Sequence, residues 1–455
     1  MKKLIFISSI SIASICFAAK PNIVFIYADD MGWTGTSVEM IEGDASTKSD
    51  FYQTPNLEKL AANGMVFSQA YSPGPMCTPS RAAVLTGKTP AELHITTPGG
   101  GREDTSHKMT SPQTANRLPE ELPTIGTMLK AEGYATALLG KWHIGRRDDA
   151  GLYGFDVHDG ATENADKGTD EDPKEIFSLT QRGIEFMQQN VKAGKPFYLQ
   201  ISHYAVHSKF QSRPESIRTF EKAKSGKVHA DAVYAGMTWD LDESLAQIFQ
   251  ALEKLKITDN TYVVFMSDNG AGGNRRKPNN TPLFAGKGTL YEGGIRIPFI
   301  VSGPGIKSGY CAEPVSGTDL FSTFSAWSGS KLKSDEGENI IPLLTGNHAD
   351  FERRNDLLFH YPHYGKGPAQ KPQTALISNH WKLLRDWDAG TDQLYNLQSD
   401  IGEKTDLSAK EPEVFKKMVA AMETRLEETE AQMPTKNPDY DPSAESQREK
   451  KNRNR

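Results

Sequence analysis

The sequence predicts an α/β fold built on a largely parallel sheet, and three observations carry that prediction. Apolar strand-like runs alternate with helical patterns, as they do where helices cross between parallel strands. Residues 23–28 read IVFIYA, a continuous apolar run of the kind that suits a strand covered on both faces. Four such runs also end directly in polar residues. Asp29-Asp30 follow residues 23–28, and Gly140-Lys141-Trp142-His143 follow residues 136–139. His203 and His207 follow residues 197–201, and Asp268-Asn269-Gly270 follow residues 262–266. Open α/β sheets bind ligands outside the carboxyl ends of their strands, so four such exits point to one polar site assembled from distant segments.

The elements follow in chain order. Residues 1–19 read as a secretion signal, with Lys2 and Lys3 before an apolar run over residues 4–17. That run is too short to span a bilayer comfortably, although a buried first strand, a membrane anchor or a lipid-modified Cys16 are the other readings. Three cysteines in 455 residues exclude a disulfide-built scaffold. After loss of the signal only Cys77 and Cys311 remain, enough for one disulfide or for chemistry at one of them. The formal charge of −6 argues against a broad nucleic-acid footprint, but leaves room for a local basic pocket. Hydrophobic residues at 37% and charged residues at 24% exclude disorder of the whole chain. Met237, Leu241, Leu245, Ile248, Leu252 and Leu255 keep a helical period between two of the strands.

Asp29, Asp30, Asp268 and Asn269 offer oxygen ligands only. Hard cations such as calcium or magnesium prefer that set, whereas zinc favours His or Cys. One Asp after a strand is ordinarily a cap or turn residue; two pairs, each directly after an apolar run, favour a cation site.

The segment Cys77-Thr78-Pro79-Ser80-Arg81-Ala82-Ala83-Val84-Leu85-Thr86-Gly87 reads as a short helix. Pro79 and Ser80 suit its first turn and Gly87 its stop. Cys77 then stands at a helix N-terminus, which favours anions, and Arg81 lies one turn on along the same face. The alternative for Cys77 is a small buried hydrophobe, as most free cysteines are.

CTPSRAAVLTG resembles the signature of the formylglycine-dependent (type I) sulfatases, in which the cysteine of C-x-P-S-R becomes a formylglycine (3-oxoalanine) residue. PNIVFIYADDMGW, GYATALLGKWHIG, MSDNGA and PLFAGKGTLYEGGIRIP are similar to family blocks and stand in the family's order. QLYNLQSD resembles a C-terminal block, with Ile401 where proline is usual, and TGK replaces the commoner TGR. The resemblance runs from about Lys20 to about Leu407. It implies the alkaline-phosphatase-like fold: a large mixed, mostly parallel sheet sandwiched by helices, with a smaller C-terminal α+β domain containing an antiparallel sheet. The expected division is a signal over residues 1–19 and a catalytic domain over 20–350. A C-terminal subdomain over 351–440 and a disordered charged tail over 441–455 complete it.

The resemblance also implies roles. Asp29, Asp30, Asp268 and Asn269 match calcium ligands, with position 77 completing the shell. Arg81 and Lys141 match residues that orient the hydrated aldehyde and the sulfate, and His143 matches the histidine beside it. His207 and Lys287 match the sulfate and leaving-group side; the block around His207 is the loosest match, and His203 is the second candidate there. In the implied mechanism one hydroxyl of the hydrated aldehyde attacks sulfur and the second, deprotonated by His143, expels sulfate. His207, assisted by Lys287, protonates the leaving alcohol. A formylglycine-generating or anaerobic sulfatase-maturating enzyme is the implied partner.

Cys311 is expected to be a structural thiol. The run Phe359-His360-Tyr361-Pro362-His363-Tyr364 suits a carbohydrate subsite through His360 and His363, and Arg275 in the cluster Arg275-Arg276-Lys277 offers a contact for further anionic groups. Gly99-Gly100-Gly101-Arg102 lacks phosphate-loop spacing. The expectation is an exported, periplasmic or secreted enzyme acting on a sulfated oligo- or polysaccharide. An algal polysaccharide fragment of ulvan or carrageenan type comes first and a glycosaminoglycan next. The rivals are a phosphate mono- or diester hydrolase of the same superfamily and an inactive sulfated-glycan binding protein.

Overall fold

The computed structural model describes residues 20–99, 104–145, 150–164, 168–272, 279–367 and 369–453. The signal and Arg275 therefore lie outside the described residues. The main sheet draws on β1 (Asn22–Ala28), β2 (Gly64–Phe67), β3 (Ala135–Gly140) and β4 (Val157–His158). It also draws on β5 (Phe197–Ser202), β6 (Thr261–Ser267), β7 (Phe299–Ser302) and β8 (Gly309–Cys311). The spatial order is β8-β2-β7-β6-β1-β5-β3-β4. From β6 to β4 all neighbours are parallel, and β7 runs antiparallel to both β6 and β2. The sheet is therefore mixed and mostly parallel, as expected.

Alternation along β1 divides the core in two. Val24, Ile26 and Ala28 face one helical layer, with Leu241, Leu245 and Ile248 of the long helix Ala232–Leu255. Ile23, Phe25 and Tyr27 face the other, with Ala82, Val84 and Leu85 of helix α1 (Cys77–Thr86). Each strand residue meets apolar partners whichever way it points, which is why the run carries no polar alternation.

Register gathers the reactive residues. Ala28 pairs with Ser267, Tyr27 with Ser202, and Ser202 with Gly140. The carboxyl ends of β1, β6, β5 and β3 thus line up, and Asp29, Asp268, His203 and Lys141 each follow at the same sheet edge. Helix α1 starts beside that edge and stops at Gly87, whose φ is 70°. A Cβ at Gly87 would come within 2.8 Å of the Phe321 side chain, so both conformation and space require glycine there.

The second sheet is antiparallel, with β9 (Leu357–Tyr361), β10 (Gln373–Ser378), β11 (Trp381–Asp386) and β12 (Thr391–Asn396) in that order. Phe359, Ala375, Ile377 and Leu384 pack against Tyr71, Leu290 and Ile295 of the large domain. Leu358, Leu376, Leu383 and Leu394 pack on the other face against Met418, Met422 and Leu426 of the helix Pro412–Glu428. This α+β unit is thus seated on the large domain through one face of its sheet.

The tail differs from expectation. Instead of disorder, Pro442–Arg453 is helical. Pro442 opens the helix, Asp441 accepts a hydrogen bond from the Ser443 backbone N–H at 2.8 Å, and the Asp441 N–H donates to the Thr105 carbonyl at 2.7 Å. A composition with Ala444 as its one small apolar side chain removed the packing signal but left good helix formers, and the cap and the anchor supply the rest.

Candidate active site

Three carboxylates and three cations meet around Cys77. Asp29 and Asp30 follow β1; Asp30 has φ 61°, a left-handed turn that lets two successive carboxylates face one point. The Cys77 thiol lies 3.5 Å from Asp29 Oδ1 and 3.8 Å from Asp30 Oδ1. Each carboxylate has its own cation. Lys141 Nζ donates to Asp29 Oδ2 at 2.6 Å, and Lys287 Nζ donates to Asp30 Oδ1 at 2.6 Å. Arg81 takes Asp268 Oδ2 from Nε at 3.0 Å and Nη2 at 2.7 Å, and donates from Nη1 to the Lys141 carbonyl at 3.0 Å. Lys287 Nζ also reaches Cys77 Sγ at 3.0 Å.

These pairs shift the titrations. Burial alone would raise the carboxyls, yet Lys141 holds Asp29 below the ordinary carboxylate range, and Lys287 with His207 does the same for Asp30. Burial pushes the Cys77 thiol up to about 12, helped by the charge of Asp268. An unmodified Cys77 is therefore a thiol, not a thiolate, at neutral pH.

His143 has φ 57° and receives the Thr78 hydroxyl at its carbonyl, 2.9 Å away, which ties it to the residue after Cys77. Burial and the charges of Lys141 and Arg81 lower its pKa to about 2, so the ring is neutral. Its buried Nδ1 meets no hydrogen-bond partner among the described residues. His207 Nε2 stands 3.6 Å from Asp30 Oδ2 at the rim. His203, the other candidate, is fully buried, neither ring nitrogen has a hydrogen-bond partner among the described residues, and burial lowers its pKa to about 3.

The donor set fits a hard divalent cation. Ligand atoms of Asp29, Asp30, Asp268 and Cys77 all lie within 4.8 Å of one another. Asn269 donates from Nδ2 to Asp30 Oδ1 at 2.7 Å, while its buried Oδ1 has no partner among the described residues. A buried acceptor left unpaired is costly, and a cation among oxygens would satisfy it. The one-to-one pairing of carboxylates with cations leaves the pocket neutral, so a bound divalent ion would make it strongly positive and suited to an anion.

Two expected contacts fall elsewhere. His360 and His363 are 2% and 1% exposed and are packing residues, not an open sugar surface. His360 pairs with Thr374 Oγ1 at 2.8 Å and with the Gln432 carbonyl at 3.0 Å, and His363 pairs with Thr96 Oγ1 at 2.7 Å. Their Gly- and Pro-rich context misled, because β9 carries His360 into the interior of the second sheet. Cys311 is a buried free thiol at the end of β8, as expected of a structural cysteine. Tyr27 carried no signal inside its apolar run, yet its ring lies 4.9 Å from the Arg81 guanidinium.

This fold, with an oxygen-lined pocket and cations at the carboxyl ends of its strands, defines an alkaline-phosphatase-like hydrolase. The Sulfatase family model matches residues 21–330, and a model described as N-sulphoglucosamine sulphohydrolase, C-terminal matches residues 283–432. The chain belongs to the sulfatase family, as a type I sulfatase, and is an enzyme. It is 28% identical to a sulfatase of Formosa agariphila over 477 residues, covering 86% of this chain and 85% of that protein. It is 31% identical to human arylsulfatase A over 388 residues, 77% of this chain and 72% of that protein. Human N-acetylgalactosamine-6-sulfatase is 30% identical over 381 residues, covering 74% and 69%. Among solved structures, Ps i-CgsB in complex with k-i-k-neocarrahexaose superposes with a TM-score of 0.73 at 28% identity, covering 90% of this chain and 93% of that one.

Proposed function

We propose that this sulfatase hydrolyses O-sulfate esters of a sulfated carbohydrate through a formylglycine at position 77, with one calcium ion held by Asp29, Asp30, Asp268 and Asn269. The observation that carries the reading is the meeting of Cys77 Sγ with Lys287, Asp29 and Asp30 at the start of a helix whose Arg81 holds Asp268. A hydrated aldehyde at 77 would supply one hydroxyl to attack sulfur and a second whose loss of a proton releases sulfate. Calcium, when bound, would add charge to polarise the ester oxygens.

The chain's own residues do the rest. Arg81, Lys141 and Lys287 neutralise the ester's negative charge as it redistributes. His143, whose buried Nδ1 has no hydrogen-bond partner among the described residues, is the group we assign as proton acceptor beside position 77. His207 at the rim donates one to the departing alcohol oxygen, with Lys287 assisting.

The substrate reading is an algal sulfated polysaccharide fragment of carrageenan type, ahead of ulvan. The structural likeness to Ps i-CgsB, seen with neocarrahexaose, supports it. A glycosaminoglycan is the second reading, favoured by the N-acetylgalactosamine-6-sulfatase relatives. Export rests on residues 1–19, and a maturating enzyme acting on Cys77 is the required partner. Among the described residues no helix is long and apolar enough to cross a membrane.

The mass of the peptide containing position 77 tests the chemistry, and turnover of aryl sulfate against aryl phosphate tests the reaction. Desulfation of carrageenan oligosaccharides against glycosaminoglycan disaccharides tests the substrate. Fully converted protein that cleaves no sulfate ester would sink the reading.

A further inference from the structure

The segment from Lys287 to Glu292 carries the cation that touches Cys77, and the second domain holds it at four points. Gln370 Nε2 donates to the Lys287 carbonyl at 2.7 Å. Gln373 Oε1 accepts the Leu290 N–H at 2.9 Å. Lys382 Nζ donates to Glu292 Oε1 at 2.9 Å, and Glu403 Oε2 accepts the Glu292 N–H at 2.7 Å. From the large domain, the Ala271 carbonyl accepts the Lys287 N–H at 3.0 Å and the Pro75 carbonyl accepts the Gly288 N–H at 2.9 Å.

Gln370 is the clamp on the reactive residue itself. Its amide works from both ends, since Oε1 accepts the Gly367 N–H at 2.8 Å while Nε2 holds Lys287. Its backbone carbonyl accepts the Gly365 N–H at 2.9 Å, closing the loop that presents it. The fit is tight. A Cβ at Gly288, where φ is 82°, would come 2.2 Å from Gln370 Nε2, and one at Gly365 would come 2.3 Å from Gln370 Oε1. Two glycines flank this amide, so it has one seat and one orientation. The Lys287 side chain meanwhile divides its ammonium between Asp30 Oδ1 and Cys77 Sγ, and both contacts depend on where its backbone stands.

The geometry points to Gln370 as a positioning residue for sulfate ester hydrolysis: the second domain sets the place of the Lys287 ammonium through the Lys287 carbonyl. The inference rests on the role given to Lys287 under the proposed function. A glutamate at 370 keeps length and shape but turns an acceptor toward a carbonyl acceptor. A methionine keeps length and removes both bonds. Small misplacements of a charge-stabilising group cost one to two decades of rate, about tenfold to hundredfold.

The test uses the full, converted, calcium-loaded chain with an aryl sulfate. Gln370→Glu and Gln370→Met should each lower kcat about tenfold or more and leave KM within about twofold. In a Lys287→Ala background neither should lower kcat further, because the residue through which Gln370 acts is gone. Unchanged kcat in the single variants, or an equal loss in both backgrounds, would overturn the inference while leaving the role of Lys287 intact. Full turnover by Lys287→Ala would overturn that role and the inference together. Melting temperatures read alongside identify a variant that fails to fold, and the other variant then decides.

Discussion

Arg81 grips a single oxygen of Asp268 with two donors, Nε at 3.0 Å and Nη2 at 2.7 Å, while its third nitrogen binds the Lys141 carbonyl. One planar group thereby ties helix α1 to the ends of β6 and β3. A lysine has the charge but one donor position, and cannot hold all three points. Arg81→Lys is expected to lower kcat/KM on an aryl sulfate by about a hundredfold or more, the scale of losing one preorganised donor to a developing anion. Steady-state kinetics on protein matched for conversion at 77 would measure it, and a loss under threefold would contradict the role.

Asp268 serves the proposed ion as well as Arg81. Calcium should raise the midpoint of thermal unfolding, and at a hundred times its Kd it stabilises by about 2.7 kcal/mol. Asp268→Ala should abolish that shift and the activity together. Retained metal, counted by elemental analysis, with retained rate would remove Asp268 from the ligand set.

His143→Ala should reduce kcat by about a hundredfold to ten-thousandfold, the usual contribution of a positioned proton acceptor. Binding of inorganic sulfate should change far less, because Arg81, Lys141 and Lys287 remain. Calorimetry against kcat separates the two effects, and parallel losses would assign His143 to binding instead.

Glu403 gives a stability prediction away from the chemistry. Glu292 and Glu403 share Lys382, whose ammonium is 2.9 Å from one and 2.8 Å from the other. Burial pushes the Glu403 carboxyl up to about 7 from an ordinary 4.5. A raised carboxyl means the folded protein holds the proton more tightly than the unfolded chain. The associated stabilisation is complete below about pH 4.5 and fades as pH rises through about 7. Glu403→Gln should therefore flatten the fall in stability between pH 5 and pH 8, read from denaturant midpoints. An unaltered slope would show that the carboxyl is already ionised at pH 5.

His363→Ala should cost about 1–3 kcal/mol of stability by leaving Thr96 Oγ1 unpaired, with KM for an oligosaccharide unchanged. A raised KM at full stability would return this histidine to the substrate.

The strands, the helix opening at Cys77 and both acidic pairs were legible in the sequence for a physical reason. A strand buried on both faces must be apolar throughout, so IVFIYA announces itself, and a polar residue directly after such a run has little to do but face the sheet edge. The C-x-P-S-R spacing likewise sets Arg81 one turn from Cys77 whatever surrounds it. These are local constraints, decided within a few residues. Tertiary structure alone decided which cation neutralises which carboxylate, because Lys141 and Asp29 are joined only by the register of β1, β5 and β3. It sent His360 and His363 inward, since a Gly- and Pro-rich neighbourhood does not say which face of a strand is covered. It also brought Gln370 to Lys287, a contact that exists only because one face of the second sheet is buried against the first domain.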